Sequence, residues 1–137
     1  MVTSANGYLA TWLVKKLLED GITVHAAVRN PDNHQKIAHL KDVAKNAKGE
    51  IKFFSGDLLA PESYKEAMEG CELVYHTASP FTSDFKDAQK ELIDPAVKGI
   101  ENVLNSAKEL ESVKRVVVTR HSSPALQTAS TSSLIGR

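Results

Sequence analysis

The sequence predicts a doubly wound α/β fold with a mostly parallel sheet, and three of its features carry that expectation. Short β-prone runs alternate with amphipathic stretches of helical period, one late run is apolar at three successive positions, and a turn of small residues separates the first run from the first amphipathic stretch. Strands that alternate with helices pair in parallel, with the helices laid on the faces of the sheet.

The elements follow in order. Met1–Thr3 is apolar and stops at the turn residues Ser4-Ala5-Asn6-Gly7, so it reads as the end of a strand whose beginning lies outside the sequence. From Gly7 to Asp20, Leu9, Trp12, Leu13, Leu17 and Leu18 recur at three- and four-residue spacing opposite Lys15, Lys16, Glu19 and Asp20, which predicts an amphipathic helix closed by Gly21. A β-prone run over 22–28 ends at Arg29, and Pro31-Asp32 opens a second helix reaching Leu40 and extending toward Lys48. Gly49 breaks it, and 51–54 is a third strand that stops at Ser55-Gly56-Asp57.

Pro61 and Ser63 predict the start of a short helix running to Met68, with Gly70 after it. Residues 73–77 form a fourth strand, and Ala78-Ser79-Pro80 the loop behind it. The longest helical pattern covers 86–110, broken by Asp94-Pro95, which either kinks one helix or opens a second. The fifth strand spans 113–119, and its Val116-Val117-Val118 run has the pattern of a strand buried on both faces. Residues 1–119 thus make one domain, and the Ser- and Thr-rich residues 120–137 read as a weakly ordered tail, leaving the fold truncated at both ends.

Composition narrows the function. The 137 residues suit one compact domain, with 42% hydrophobic and 25% charged residues in the ordinary globular balance. Seventeen basic and seventeen acidic residues cancel, so no overall field attracts nucleic acid or an anionic membrane. No stretch approaches the roughly 20 apolar residues of a membrane span, and no leader pattern opens the chain, so a cytoplasmic location is expected. Cys71 is the single cysteine and reads as a partly buried small residue, and the five histidines lack metal-ligand spacing, so no metal is assigned.

The turn over 3–10 places Ser4, Gly7 and Ala10 at three-residue spacing, where a dinucleotide site needs small residues for its tight bend and close pyrophosphate approach. The following helix would offer unpaired N–H groups and a positive dipole end to phosphate. At the end of the second strand stands Arg29, where NAD-preferring sites carry a carboxylate, and Lys36 lies seven residues on. An Arg fork with a Lys point charge suits the 2′-phosphate of NADP, so NADP(H) is expected ahead of NAD(H).

Taken together, the turn over 3–10 with Trp12-Leu13-Val14-Lys15, Val28-Arg29-Asn30-Pro31, Gly56-Asp57-Leu58, His76-Thr77-Ala78-Ser79-Pro80, 94–99 and Asn102-Val103-Leu104 resembles the dihydroflavonol 4-reductase and cinnamoyl-CoA reductase group. These are Rossmann-type extended short-chain dehydrogenase/reductases, a class that also takes in yeast methylglyoxal and aldehyde reductases. The resemblance covers residues 1–119 and implies an NADP(H)-dependent reduction of a small carbonyl substrate in the complete enzyme. It implies that Ser4, Asn6, Gly7, Tyr8 and Leu9 form the pyrophosphate turn and that Asp57 accepts from the adenine amino group while Leu58 covers the ring. Thr77, Ala78 and Ser79, with Pro80, would run beneath the phosphates and nicotinamide ribose, and Thr119, at the end of the fifth strand, is a further cofactor-binding candidate. His76, Tyr8 and Tyr75 read as packing residues, Tyr8 near the cofactor by resemblance.

Two departures stand out. Ser4 replaces the first glycine of the family turn, and a positive φ there would cost about 1 kcal/mol or more relative to Gly. After Thr119 come Arg120-His121 before Ser122-Ser123, and no Tyr follows Tyr75, so the family's Tyr-x-x-x-Lys pair is absent and only Ser123, or alternatively Ser122, could polarise a carbonyl. The expected function is therefore the cofactor portion of a carbonyl reductase, inactive as this chain. Its rivals are a non-catalytic nucleotide-binding or regulatory partner and an interaction module without nucleotide. Substrate and oligomeric state are not readable.

Overall fold

The computed structural model describes residues 1–78 and 86–119. Five strands, β1 (Val2–Thr3), β2 (Val24–Val28), β3 (Ile51–Ser55), β4 (Leu73–His76) and β5 (Arg115–Val118), form one sheet in the order β3-β2-β1-β4-β5. Every pairing is parallel, for example Val24↔Ile51 between β2 and β3 and Val74↔Val116 between β4 and β5. The chain walks outward from β1 to β3, then crosses back to β4 on the other side of β1. That reversal opens a crevice at the carboxyl ends of β1 and β4, where doubly wound folds bind ligands. The expected fold class holds.

The pleat of β2 sends alternate side chains to opposite faces. Val24, Ala26 and Val28 pack with Ala10, Val14 and Leu18 of α1 (Tyr8–Glu19) and Ile37 and Leu40 of α2 (His34–Lys45). Ala27 points the other way, to Tyr64, Ala67 and Met68 around α3 (Lys65–Met68) and to Val103 and Ala107 of α4 (Asp94–Lys108). Gly21 ends α1 at φ +81, the left-handed conformation that a helix terminus asks of glycine.

Several expectations are corrected. The buried side of α1 is Ala10, Val14 and Leu18, with Leu13 and Leu17 half-buried, while Leu9 and Trp12 stay 58% and 57% exposed. Small and β-branched residues let the helix sit close on the sheet, and the bulkier Leu9 and Trp12 fall on the outer arc, where Lys15 Nζ lies 5.2 Å from the Trp12 ring centre. Tyr8 is no packing residue, being 85% exposed. The helix expected from Pro61 begins only at Lys65, because Ser63 turns its hydroxyl to the Asp57 carbonyl (2.7 Å) and accepts from the Asp57 N–H (3.1 Å).

The Asp94-Pro95 interruption resolves as a π-helical turn over Gln89–Ile93 that runs directly into α4. Pro95 stands just after that turn and has no N–H to donate back into it, so the wider π-helical turn precedes the proline where the regular ladder is interrupted. β5 is the edge of the sheet among the described residues, so its valines are not buried on both faces: Val116 and Val117 are half-buried and Val118 is 44% exposed. Residues 120–137, expected as a weakly ordered tail, lie outside the described residues.

Candidate functional site

The crevice begins at the β1 turn. Ser4 adopts φ +48, the left-handed conformation, and its carbonyl accepts the Gly7 N–H at 2.8 Å to close the bend. A side chain at Gly7 would bring its Cβ to 3.2 Å from that carbonyl, tighter than ordinary packing allows without adjustment. Gly7 is also the N-cap of α1 and supplies no side-chain cap, and the first turn of α1 carries no acidic residue. The leading amide N–H groups are thus left for an anion.

Thr3 joins this turn to β4. Its hydroxyl oxygen accepts from the Thr77 and Ala78 amides, both at 3.0 Å, and lies 3.1 Å from His76 Nδ1. With both lone pairs engaged, the hydroxyl proton is directed to Nδ1, which makes His76 a neutral acceptor with its proton on Nε2. Burial pushes the His76 pKa below its ordinary value, in keeping with that assignment. Thr77 in turn donates its hydroxyl to the Thr3 carbonyl. Thr119, exposed at the end of β5, donates both its amide (3.0 Å) and its hydroxyl (3.2 Å) to the His76 carbonyl.

On the other side of the turn a cavity of about 590 Å³ is lined by Ser4, Asn6, Arg29, Asn30, Asn33, Lys36, Gly56, Asp57, Leu58, Leu59, Tyr64, Ala78 and Pro95. Arg29, 84% exposed at the tip of β2, pairs Nε with Asp57 Oδ2 at 3.5 Å. Exposed pairs of this kind contribute about 0–1 kcal/mol, so an incoming phosphate can take the guanidinium at little cost. Lys36 projects from the first turn of α2, which Asn33 caps by accepting the Lys36 amide at 3.2 Å.

The loop behind β3 is held from two directions. Asp57 Oδ1 accepts the Leu59 amide at 2.9 Å, and Asn102 of α4 donates to the Leu58 and Ala60 carbonyls while accepting the Glu62 amide at 3.0 Å. Glu62 sits at φ +59, a conformation this clamp sustains. Gly99 faces Leu58 so closely that any Cβ there would overlap the leucine side chain. Tyr64 is buried beneath the loop, its ring edge against Gly56.

Seven of the expected residues therefore meet at one cavity: Ser4, Asn6, Arg29, Lys36, Asp57, Leu58 and Ala78. Gly7, Tyr8 and Leu9 stand exposed at the start of α1, and Thr77 and Thr119 bond inward to the β1 and β4 backbone. Ser79, Ser122 and Ser123 lie outside the described residues. Sequence reasoning missed Asn30, Asn33, Tyr64 and Pro95. Asn33 was signalled by its place one residue before the α2 pattern, as a helix cap, whereas Tyr64 reads in sequence as one more core aromatic. Among the described residues no group of His, Cys, Asp and Glu could hold a metal, and no helix is long and apolar enough to cross a membrane.

Known proteins resemble this chain in sequence and in fold. A family model described as NAD(P)H-binding matches residues 4–130. A cinnamoyl-CoA reductase of Medicago truncatula is 49% identical over 118 residues, covering 86% of this chain and 36% of that protein. A dihydroflavonol 4-reductase of Solanum lycopersicum is 39% identical over 118 residues, covering 86% and 31%. The chain thus spans about a third of the length of the curated relatives it matches. Among solved structures, Gre2 of Candida albicans in complex with NADPH superposes with TM-score 0.71 at 29% identity, covering 85% of this chain and 35% of that one. Vestitone reductase from alfalfa superposes with TM-score 0.62 at 30% identity, covering 85% and 34%.

Proposed function

The chain belongs to the NAD(P)H-binding family, and on that premise we propose that it is the cofactor portion of a carbonyl reductase and holds NADP(H) in preference to NAD(H). The observation that carries the preference is Arg29, 84% exposed at the tip of β2 on the same cavity as Lys36 and, among the described residues, paired at 3.5 Å with Asp57. The residues fit the group: the strained, side-chain-poor turn over 4–7 admits a pyrophosphate to the leading amides of α1. Arg29 and Lys36 bracket a 2′-phosphate, and the Asp57–Leu58 loop meets the base. When bound, the nicotinamide supplies a hydride to an aldehyde or ketone. This chain's own part is to orient the dinucleotide and to keep His76 neutral beneath the crevice.

The test is calorimetric titration with NADPH and NADH. Removing a charge-assisted contact of this kind costs about 1.5–3 kcal/mol, so Arg29→Ala should weaken NADPH by roughly ten- to a hundredfold and leave NADH nearly unchanged. Equal weakening of the two cofactors would overturn the phosphate assignment.

A further inference from the structure

One side of the molecule is left open twice over. β5 is the edge of the sheet among the described residues. The Arg115 and Thr119 N–H groups bond the Glu72 and His76 carbonyls at 3.2 and 3.0 Å, so every second residue of β5 turns its backbone toward β4. Val116 and Val118, between them, aim N–H and C=O outward from the edge. From Arg115 to Thr119 the strand is a run of valines, without the inner charge, proline or bulge that ordinarily blunts an edge.

α4 carries a second apolar stripe on the same side. Gly99, Val103, Ser106 and Ala107 are its buried, sheet-facing residues, and Asn102 reaches the Asp57 loop from one flank. On the opposite flank Ile93, Val97, Ile100 and Leu104 fall within about 60° of arc, while Asp94, Lys98 and Glu101 take the outer face. Ile93, Val97 and Leu104 are exposed and Ile100 is half-exposed. Their alternating four- and three-residue spacing is that of a seam between two helices. The Asp57 loop and α3 lie on the β2 side of α4, so this flank overhangs the free edge of β5.

An open strand edge calls for a strand and an open helix flank for a helix, and a second copy of this chain offers both at the right offset. A two-fold axis at Val117 pairs the β5 strands antiparallel. Val116 then faces Val118 of the copy, and the two exchange N–H···O bonds in both directions through the groups that β4 leaves free. Val103 and Ala107 share one apolar cluster with Val74 of β4 and Val116 of β5, which centres α4 over that strand pair. The two-fold therefore sets the second α4 antiparallel to the first and two strand spacings away, about 10 Å. Helices pack at about 8–10 Å, so edge and flank close together.

We infer that β5 and α4 form an isologous dimer surface, which joins two copies of this chain through a continuous sheet and a layer of paired helices. The patch runs about 30 Å along the helix and about 20 Å through the two layers, roughly 600 Å² per copy. That is the lower end for specific interfaces, so the dimer is reversible, with a micromolar dissociation constant.

Sedimentation of the 137-residue chain from about 1 to 100 μM should show monomer passing reversibly into dimer. Val118→Pro removes an outward N–H and no bond to β4, and Leu104→Lys puts a charge in the helix seam. Each should weaken the dimer about tenfold or more, with thermal melts checking that the variants fold. Lys98→Glu, on the outer face, should leave it unchanged. Mild oxidation reads the register. Val117→Cys meets its own copy at the two-fold, about 4.5 Å between Cα atoms, and should cross-link, whereas Arg115→Cys lies about 14 Å from its mate and should not. Both variants keep Cys71, so its own cross-links cancel. A folded chain that stays monomeric at the highest concentration would overturn the dimer. So would a dimer indifferent to both Val118→Pro and Leu104→Lys, or cross-linking at 115 in place of 117.

Discussion

At Ser4 a single residue carries a conflict between backbone and side chain. The turn needs the left-handed conformation and holds it at φ +48, where an L-residue with a Cβ pays about 1–2 kcal/mol that glycine does not. Glycine returns part of this through the greater freedom of its unfolded chain, so Ser4→Gly should raise stability by about 0.5–1 kcal/mol net, read as a higher urea midpoint at unchanged slope. The same substitution clears space at the pyrophosphate turn, and NADPH titration of the variant should show equal or tighter binding. Lower stability would mean that the Ser4 side chain makes a compensating bond. His76 gives a second prediction at this scale. Its folded pKa lies below the ordinary value, so below about pH 6.5 the unfolded chain takes up a proton that the folded chain refuses. Stability should fall as pH drops through that window and be insensitive to His76 above it. His76→Asn, whose carbonyl can accept from Thr3 in place of Nδ1, should flatten the slope of unfolding free energy between pH 6.5 and 5.

At the scale of elements, the Asp57–Glu62 segment is a loop made rigid by α4. Asn102 spends both ends of its amide on it, and Glu62 is held at φ +59 by the same side chain. Asn102→Ala leaves the part-buried Leu58 carbonyl without this donor and gives the exposed Ala60 carbonyl and Glu62 amide over to water, and should lower stability by about 1 kcal/mol. It should also weaken NADPH through a loosened Leu58, while Leu104→Ala on the same helix, exposed and off the loop, leaves binding alone; titration of the two variants separates the effects. The elements themselves were largely legible because their signals are local. Gly21 and Gly70 stand where φ is positive, and β2 and β3 are β-prone runs bounded by polar turns. What escaped was decided by distant partners. Ser63 was a plausible helix start until the Asp57 loop claimed its hydroxyl, and Trp12 fits the helical period but loses its place on the sheet to the smaller Val14. Tyr64 and Asn33 reach the cavity only because three separate loops converge on it.

For the molecule as a whole, binding and turnover separate. Carbonyl reduction requires a proton donor at the developing alkoxide, and no tyrosine follows Tyr75 in this sequence. The chain, saturated with NADPH, should therefore consume none of it with methylglyoxal or aromatic aldehydes, followed by cofactor absorbance at high protein concentration. Turnover that survives repurification and disappears in Ser123→Ala would reveal a site built without that tyrosine. The chain spans about a third of the length of the curated relatives it matches, and its reading as a cofactor portion is the proposal this test addresses.

The join between β1 and β4 has a mechanical side. The two halves of the sheet meet along a seam where β1 and β4 share one register pair, Val2↔Tyr75, and the hydroxyl of Thr3 makes up in side-chain bonds what the short strand lacks in backbone ones. On the proposed reading, a dinucleotide lying across that seam would act as a splint, touching the β1–β3 half at Arg29 and the β4 side at Ala78. At a hundredfold excess over its dissociation constant such a ligand adds about 2.7 kcal/mol to folding. The join between the two halves of the sheet is thus made as much by one side chain, the Thr3 hydroxyl, as by the backbone.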